Sequence, residues 1–300
     1  MTLAAPRETR QGRFVTGDGT SLHVEQTGPA DAAATLVLVH GWTQDHRTWD
    51  RVLPGLPRDV RVVRYDLRGH GLSDPARPGT ATIDHLADDL AELLADRAPG
   101  GRLVLAGHSM GGMTIMALAD RHPGLVADRV AGVGFVATSC CDMDRITLGL
   151  PGAAGSGAAR IERRLARLLA EYRGEALPLR PAAARAGARW LVFGRRPRRQ
   201  DVASVADQLL RAHPASVGGF QKAISLHDRR VALAALRTTR AVVLAGEADR
   251  LCPVRHAETI AEELPSARFV LYPGAGHMLP QERAAEVAAQ LRELTGAAVR

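Results

Sequence analysis

The chain has 300 residues, of which 46% are hydrophobic and 24% are charged. A chain of this size and composition can bury a substantial core, which excludes an intrinsically disordered protein. The N-terminal segment has no apolar run long enough for a secretion signal, and no later stretch offers about 18 uninterrupted apolar residues for a membrane span. We therefore expect a soluble cytoplasmic protein.

The net charge of +7 is unevenly distributed along the chain. Residues 151–200 contain 12 arginines and 3 glutamates, a local charge of +9, which leaves −2 for the rest. This stretch lacks a regular interleaving of aromatic residues and any recognisable nucleic-acid-binding pattern, so nucleic acid is not an expected partner. The arginines indicate either a solvated helical face or a field that attracts anionic substrates.

The three cysteines, Cys140, Cys141 and Cys252, form no disulfide framework, because their number is odd and two of them are adjacent. We expect buried thiols, which agrees with a cytoplasmic protein. A disulfide between the adjacent pair is the alternative.

Apolar runs alternate with helical patterns along the chain, which is typical of a mostly parallel α/β sheet. An antiparallel hairpin is expected first, around the turn Gly17-Asp18-Gly19. The predicted strands then follow at Thr35–His40, Val60–Tyr65, Arg102–Ala106, Val130–Ala137, Ala241–Ala245 and Arg268–Tyr272. The predicted helices lie at His46–Leu53, Thr82–Arg97, Met113–His122, Val254–Leu264 and Gln281–Leu294.

This alternation breaks in the middle of the chain. Residues 151–160 have the composition of a loop, and the residues after them form an amphipathic helical pattern with arginines opposite the apolar positions. The apolar positions on the shared face are Ile161, Leu165, Leu168 and Leu169. We therefore predict a core in two parts, residues 1–139 and 231–300, with residues 140–230 inserted between them as a helical lid.

One serine stands where a predicted strand passes into a predicted helix, within the sequence GHSMG. A serine hydroxyl is a useful nucleophile when it is exposed, close to a base, and close to N–H groups that stabilise an oxyanion. A tight strand-to-helix turn provides this geometry but requires small residues two positions before and after the serine, where Gly107 and Gly111 stand. Ser109 is therefore the candidate nucleophile, and a plain tight turn is the alternative.

The acid and the base expected to act with Ser109 follow the last two predicted strands. Asp249 comes after the first of them and His277 lies in the glycine-rich loop after the second, in the chain order serine, acid, histidine. A helix cap is the alternative role for Asp249, and a solvated loop position is the alternative for His277. Asp142 and Asp144 lie beyond an earlier strand end and compete with Asp249 as the acid.

Two backbone N–H groups are expected to form the oxyanion hole. One belongs to Met110, directly after the nucleophile, and the other to the loop after the first predicted strand of the parallel sheet. Gly41 lets that loop turn back over the serine, which makes the Trp42 N–H the second donor. His40 is expected to brace this loop by hydrogen bonding.

Five segments together resemble the α/β-hydrolase superfamily in their order and spacing: LVHGWTQDHRTWD, VVRYDLRGHGLSD, LAGHSMGGMTIMALA, LAGEADRLCPV and PGAGHMLPQE. The resemblance runs from about Arg13 to Leu294, weakens over the predicted lid, and points to a branch of bacterial esterases, haloperoxidase-like enzymes and carbon–carbon bond hydrolases. It implies a twisted sheet with helices on both faces and the same triad of Ser109, Asp249 and His277. Serine at the nucleophile position argues against epoxide hydrolases and haloalkane dehalogenases, which carry aspartate there.

These features predict a serine hydrolase that cleaves an ester or thioester of a small to medium, mainly apolar acyl substrate. The alternatives are a carbon–carbon bond hydrolase or perhydrolase with the same triad, and a non-hydrolytic ligand-binding protein on this fold. No cofactor is expected, because the glycines of GVGFVA lie inside a predicted strand, and no histidine and carboxylate spacing indicates a metal site. The oligomeric state stays open.

The substrate pocket is expected to be aliphatic, because aromatic residues make up only 4% of the chain. The candidate lining residues are Met143, Ile146, Leu148 and Leu150.

Overall fold

The computed structural model describes residues 8–299, and within them an eight-stranded sheet forms the centre of the molecule. The strand order is β1-β2-β4-β3-β5-β6-β7-β8. The strands are β1 (Thr9–Val15), β2 (Ser21–Thr27), β3 (Ala34–Val39), β4 (Arg61–Tyr65), β5 (Arg102–His108), β6 (Val130–Val136), β7 (Arg240–Gly246) and β8 (Arg268–Tyr272). Strand β2 pairs antiparallel with β1 and β4, and every other pairing is parallel, so the expected hairpin and parallel sheet are confirmed.

Helices cover both faces of this sheet. They are α1 (Ile83–Arg97), α2 (Met110–Arg121), α3 (Pro123–Arg129), α4 (Gly152–Ala170), α5 (Pro181–Leu191), α6 (Arg199–Arg211), α7 (Pro214–Ser225), α8 (Val254–Glu263), α9 (Leu279–Glu282) and α10 (Ala284–Ala298). Short 3₁₀ helices lie at His46–Trp49, Leu53–Gly55, Met143–Arg145 and Val231–Leu236. Because strand side chains alternate between faces, Val37 and Val39 pack in the core on the side of α1 and α2, and Leu36 and Leu38 pack on the side of α10.

Three local predictions were wrong. The helix expected at His46–Leu53 is two short 3₁₀ turns, His46–Trp49 and Leu53–Gly55. Residues 151–160 are not a loop but the first half of α4, where Gly155 packs so closely that a Cβ would lie 2.3 Å from the Leu150 carbonyl oxygen. Helix α2 begins at Met110 rather than Met113, because its first glycines let it start directly at the serine.

Helices α4 to α7 are inserted between β6 and β7, with α4 packed against α7 and α5 against α6. The inserted helices contact the loops that follow the strands. The Trp42 indole donates to the Val217 carbonyl oxygen at 3.0 Å, and the His277 N–H donates to the Val192 carbonyl oxygen at 2.8 Å. The insertion therefore lies over the carboxyl ends of the parallel strands, and its action as a lid stays a prediction.

Candidate active site

Ser109 occupies a strained turn between β5 and α2. Its φ of 52° lies in the left-handed region, which is costly for a residue with a side chain. A Cβ on Gly107 would lie 2.4 Å from the Gly111 carbonyl carbon, and one on Gly111 would lie 2.3 Å from the Val39 carbonyl oxygen. Both positions therefore require glycine, as the sequence indicated, and the close packing holds the serine at the carboxyl end of β5.

The backbone of Ser109 is fixed from the neighbouring strand β6. Its N–H donates to the Val136 carbonyl oxygen at 2.9 Å, and its carbonyl oxygen accepts from the Thr138 hydroxyl at 2.7 Å. Within residues 8–299 the Ser109 hydroxyl itself makes no hydrogen bond. Catalytic hydrogen bonds often form fully only with substrate present, so a free hydroxyl is compatible with a nucleophile.

Asp249 and His277 are brought together because they follow the adjacent strands β7 and β8. The His277 Nδ1 lies 2.8 Å from Asp249 Oδ2, and both side chains are buried. The other carboxylate oxygen, Oδ1, accepts from the N–H groups of Leu251 and Cys252 at 2.8 and 2.9 Å. A carboxylate on Nδ1 selects the tautomer in which Nε2 is the basic nitrogen, which is the arrangement that a general base requires.

The competing acids do not lie at this histidine. Asp142 Oδ2 is 3.4 Å from the Cys141 Sγ and 3.5 Å from an Arg230 guanidinium nitrogen, and Asp144, two residues further on, is exposed. Of the three carboxylates that the sequence offered, the structure places only Asp249 in contact with His277.

The three cysteines are buried free thiols, as predicted. The Sγ atoms of Cys140 and Cys141 lie 3.7 Å apart. Burial raises the pKa of the Cys140 thiol to about 12, which keeps it protonated and unreactive at neutral pH.

His108, which sequence reasoning did not single out, connects the serine turn to the histidine loop. Its Nε2 lies 2.9 Å from the His277 carbonyl oxygen, and the two rings are 4.8 Å apart between centroids. Burial holds the pKa of His108 well below its ordinary value, so it stays neutral beside the base. The only signal in the sequence is an imidazole directly before Ser109.

The expected oxyanion loop closes over the serine. A Cβ on Gly41 would lie 3.1 Å from the Ser109 Cβ, which shows how near the loop after β3 comes. In the described part of the chain, the N–H groups of Trp42 and Met110 donate to no protein acceptor, so both are free for a ligand oxygen. His40 braces the loop as predicted, with Nδ1 2.8 Å from the Gly41 carbonyl oxygen and Nε2 accepting from the Leu67 N–H at 2.9 Å.

An apolar groove of about 360 Å³ lies beside Trp42, between α4 and α7. Its lining residues are Trp42, Ala158, Ile161, Glu162, Leu165, Ala166, Leu169 and Val217. None of the four residues expected to line the pocket is among them, but Ile161, Leu165 and Leu169 are, and the sequence predicts these three on one apolar helical face. The apolar face of α4 provides the aliphatic surface instead.

A larger and more polar cleft of about 1070 Å³ lies beside the loop that leads to His277. Its charged lining residues are the arginines Arg51, Arg195, Arg196, Arg198 and Arg283 and the carboxylates Asp201, Glu247, Glu282 and Glu286. Part of the positive charge of the insertion therefore faces a concave surface.

No helix within residues 8–299 combines the length and apolarity needed to cross a membrane.

Comparison with known proteins shows that the chain is similar to hydrolytic enzymes. The model of the alpha/beta hydrolase family matches residues 36–290. A pimeloyl-[acyl-carrier protein] methyl ester esterase from Nitrosomonas europaea is 29% identical over 259 residues, covering 86% of this chain and 92% of that protein. A protein of the same name from Aromatoleum aromaticum is 30% identical over 247 residues, covering 81% and 90%.

Among solved structures, a thermophilic esterase from Thermogutta terrifontis with malate bound has a TM-score of 0.76 and 27% identity to this chain. The match covers 99% of this chain and 100% of that one, so the similarity includes the inserted helices.

Proposed function

This chain belongs to the alpha/beta hydrolase family and is an esterase-like hydrolase, and we propose that it cleaves esters or thioesters of small to medium, mainly apolar acyl groups. The observation that carries the proposal is the buried pair of His277 and Asp249, joined at 2.8 Å, with the His277 backbone in contact with His108, the residue directly before the strained Ser109. In this proposal the three residues act as base, acid and nucleophile.

The mechanism follows from the atoms at the site. The Ser109 hydroxyl oxygen attacks the acyl carbonyl carbon while His277 Nε2 accepts the hydroxyl proton, and Asp249 stabilises the imidazolium that forms. The negative charge on the carbonyl oxygen is stabilised by the free N–H groups of Trp42 and Met110. His277 then gives its proton to the departing alcohol or thiol, and a water activated by the same nitrogen releases the acid from the acyl-enzyme.

The apolar groove supports the substrate class. It begins at Trp42, whose N–H is one of the two proposed oxyanion donors, so an acyl chain lying in the groove has its carbonyl near Ser109. The relatives named as methyl ester esterases support the ester bond as the one cleaved. The proposal includes a cytoplasmic location and a small-molecule substrate, as the sequence analysis predicts.

A second candidate is an ester whose acyl group or carrier is anionic. Residues 151–200 have a charge of +9, and Arg160 and Arg164 are exposed on α4, whereas the larger cleft combines five arginines with four carboxylates and has a lining charge of only +1. Such a field attracts anions to the site before binding. A phosphate or carboxylate on the substrate is therefore the feature that would distinguish this candidate from a neutral acyl ester.

Fluorophosphonate labelling and ester hydrolysis together test the proposal. The purified protein is expected to be labelled on Ser109 and to hydrolyse p-nitrophenyl esters, and Ser109→Ala should lose labelling and at least about 10³-fold in kcat. Ser225→Ala, which alters an exposed hydroxyl at the end of α7, is the matched control and should keep both. Labelling of Ser109 without hydrolysis of any ester would favour a perhydrolase or carbon–carbon bond hydrolase, and full activity of Ser109→Ala would contradict the proposal.

A further inference from the structure

A second cluster of buried polar side chains lies at the antiparallel edge of the sheet. His23 and Glu25 are two residues apart on β2 and so project from the same face, and His46 begins the 3₁₀ helix after β3. Glu25 Oε1 lies 3.6 Å from His23 Nε2 and 3.5 Å from His46 Nε2, and these three atoms all lie within 4.8 Å of one another. We propose that this cluster is a binding site for a zinc ion.

The distances suit a metal better than direct contact. A separation of 3.5–3.6 Å is too long for a good hydrogen bond. With metal–ligand bonds of about 2.0–2.2 Å, a tetrahedral ion holds neighbouring ligand atoms about 3.3–3.6 Å apart. The two nitrogens therefore already stand at the spacing from Glu25 Oε1 that a shared ion would impose.

His23 provides the independent observation. Its side chain is only 9% exposed, and its Nε2 has no hydrogen-bond partner. A buried polar atom without a hydrogen-bond partner destabilises the folded chain. A metal bond to that nitrogen would remove this destabilisation, whereas the protein contacts around it do not.

The surrounding residues hold the other two ligand groups in position. His46 Nδ1 donates to Asp66 Oδ1 at 2.7 Å, which leaves the lone pair of Nε2 free toward the cluster. Asp66 is itself held through Oδ2 by the Leu72 N–H at 2.8 Å. Arg64 donates twice to Glu25 Oε2, at 2.6 and 3.0 Å, so that oxygen is engaged and Oε1 faces the two imidazoles.

The access route and the remaining ligand position lie on the side of the edge strand. Gln11, exposed on β1, donates to Glu25 Oε1 at 2.7 Å and covers the cluster. Movement of this amide would admit an ion and leave room for water as a fourth ligand.

Two imidazoles and one carboxylate favour zinc over magnesium or calcium, which prefer oxygen ligands. The ion would tie β2 to the segment that follows the Trp42 loop, so its proposed role is structural. The sequence indicated no metal site because the ligands come from two segments that are separated by β3 and only meet in the folded sheet.

Zinc titration of the full, untagged chain after removal of metal by a chelator tests the site. We expect one zinc ion per chain, a higher melting temperature with zinc, and the visible absorption of tetrahedral cobalt when Co²⁺ replaces it. His23→Gln should lower zinc affinity at least tenfold and abolish the cobalt band. It should leave the metal-free stability unchanged or higher, because the His23 Nε2 has no partner to lose.

His122→Gln is the matched control, since His122 also lies 2.8 Å from a carboxylate, that of Asp88, but on the surface; it should bind zinc as the unaltered chain does. The proposal is overturned if the unaltered chain binds no stoichiometric zinc or gives no tetrahedral cobalt spectrum, results that do not require any variant to fold. It is equally overturned if His23→Gln binds zinc with unchanged affinity. None of these measurements uses ester hydrolysis, so they are independent of the proposed function.

Discussion

The serine turn and helix α4 differ in which side chains they bury. In α2, which directly follows Ser109, every residue from Met110 to Ala119 is buried, including all the large apolar side chains. In α4 the buried residues are Gly155, Ala159 and Ala166, whereas large apolar side chains are exposed, Ile161 at 63% and Leu168 at 60%. The first region is fixed by close packing, and the second presents apolar and cationic groups to the outside.

This difference assigns separate tasks to the two regions. Packing around Ser109 leaves one conformation for the proposed reacting groups, which suits chemistry that needs fixed distances. Helix α4 contributes little to the core, so substitutions on it should alter which substrate is selected while the reaction itself persists. Substitutions in the two regions should therefore have effects of different size and kind.

The largest expected effect is that of Asp249→Asn. The amide would favour the wrong tautomer of His277, and kcat for a p-nitrophenyl ester should fall by about 10⁴-fold while the fold remains. Asp142→Asn is the matched control, because Asp142 follows another strand end but contacts Cys141 and Arg230 instead. If Asp142→Asn abolished activity and Asp249→Asn preserved it, the proposed acid would be the wrong one.

The junction between the insertion and the core should contribute to the loss of stability in acid. His227, just after α7, is buried, and burial lowers its pKa from 6.5 to about 4, with Arg229 acting in the same direction and the carboxylates of Asp228 and Asp84 opposing it. Between pH 6.5 and 4 the unfolded chain binds more protons than the folded one, so stability is complete above pH 6.5 and is lost as the pH falls. The loss from this group is on the order of 3 kcal/mol.

Chemical denaturation of His227→Gln at pH 7.5, 5.5 and 4 would measure that loss. The variant should have a smaller decrease in unfolding free energy between these pH values than the unaltered chain. His85→Gln on α1, which is not fully buried, is the control and should keep the original pH dependence. An identical pH dependence in all three proteins would contradict the prediction.

The groove should set the preference for acyl-chain length. Leu165 lines it, so Leu165→Asp should lower kcat/KM for a p-nitrophenyl octanoate by about tenfold, because each buried methylene contributes about 0.8 kcal/mol. The acetate ester, too short to fill the groove, should react at the original rate. Leu168→Asp is a matched control on the same helix, since Leu168 is similarly exposed but does not line the groove. Equal losses in the two variants would exclude the groove as the acyl site.

The sequence predicted the sheet and the family well because both depend on local patterns. Each parallel strand is a short apolar run, and the glycines around Ser109 are required by contacts within a single turn. The family identified from the five motifs is confirmed. Asp249 and His277 were found because each follows a strand end, and the structure brings them together as that order implied.

What the sequence did not predict depends on tertiary packing. The glycines at the start of α4 disfavour a helix, although the alanines between them favour one, and the close packing of Gly155 against Leu150 and Thr147 is not visible in the sequence. The acyl pocket was expected on the segment before α4, although the sequence predicts Ile161, Leu165 and Leu169, which line the groove, on one apolar helical face. The contact between His108 and the His277 loop and the cluster around Glu25 join residues far apart in the chain, and no linear spacing reveals such pairs.

The smallest expected effect concerns the positive charge of the insertion. Arg160 and Arg164 are exposed on α4 beside the groove, so at low ionic strength an ester with a carboxylate at the end of its acyl chain should have a kcat/KM about threefold above that of a matched neutral ester. The advantage should disappear in about 0.5 M salt, where the screening length is well below 10 Å. Replacing both arginines by glutamine should also remove the advantage at low salt.

The matched control is the paired change Arg240→Gln and Arg268→Gln. It removes the same charge, but from the first residues of β7 and β8, at the amino ends of the strands. It should therefore leave the advantage of the anionic ester intact. If the ratio of the two substrates is the same in all three proteins and at both salt concentrations, the arginines of α4 do not steer anions to Ser109, and the groove alone distinguishes substrates.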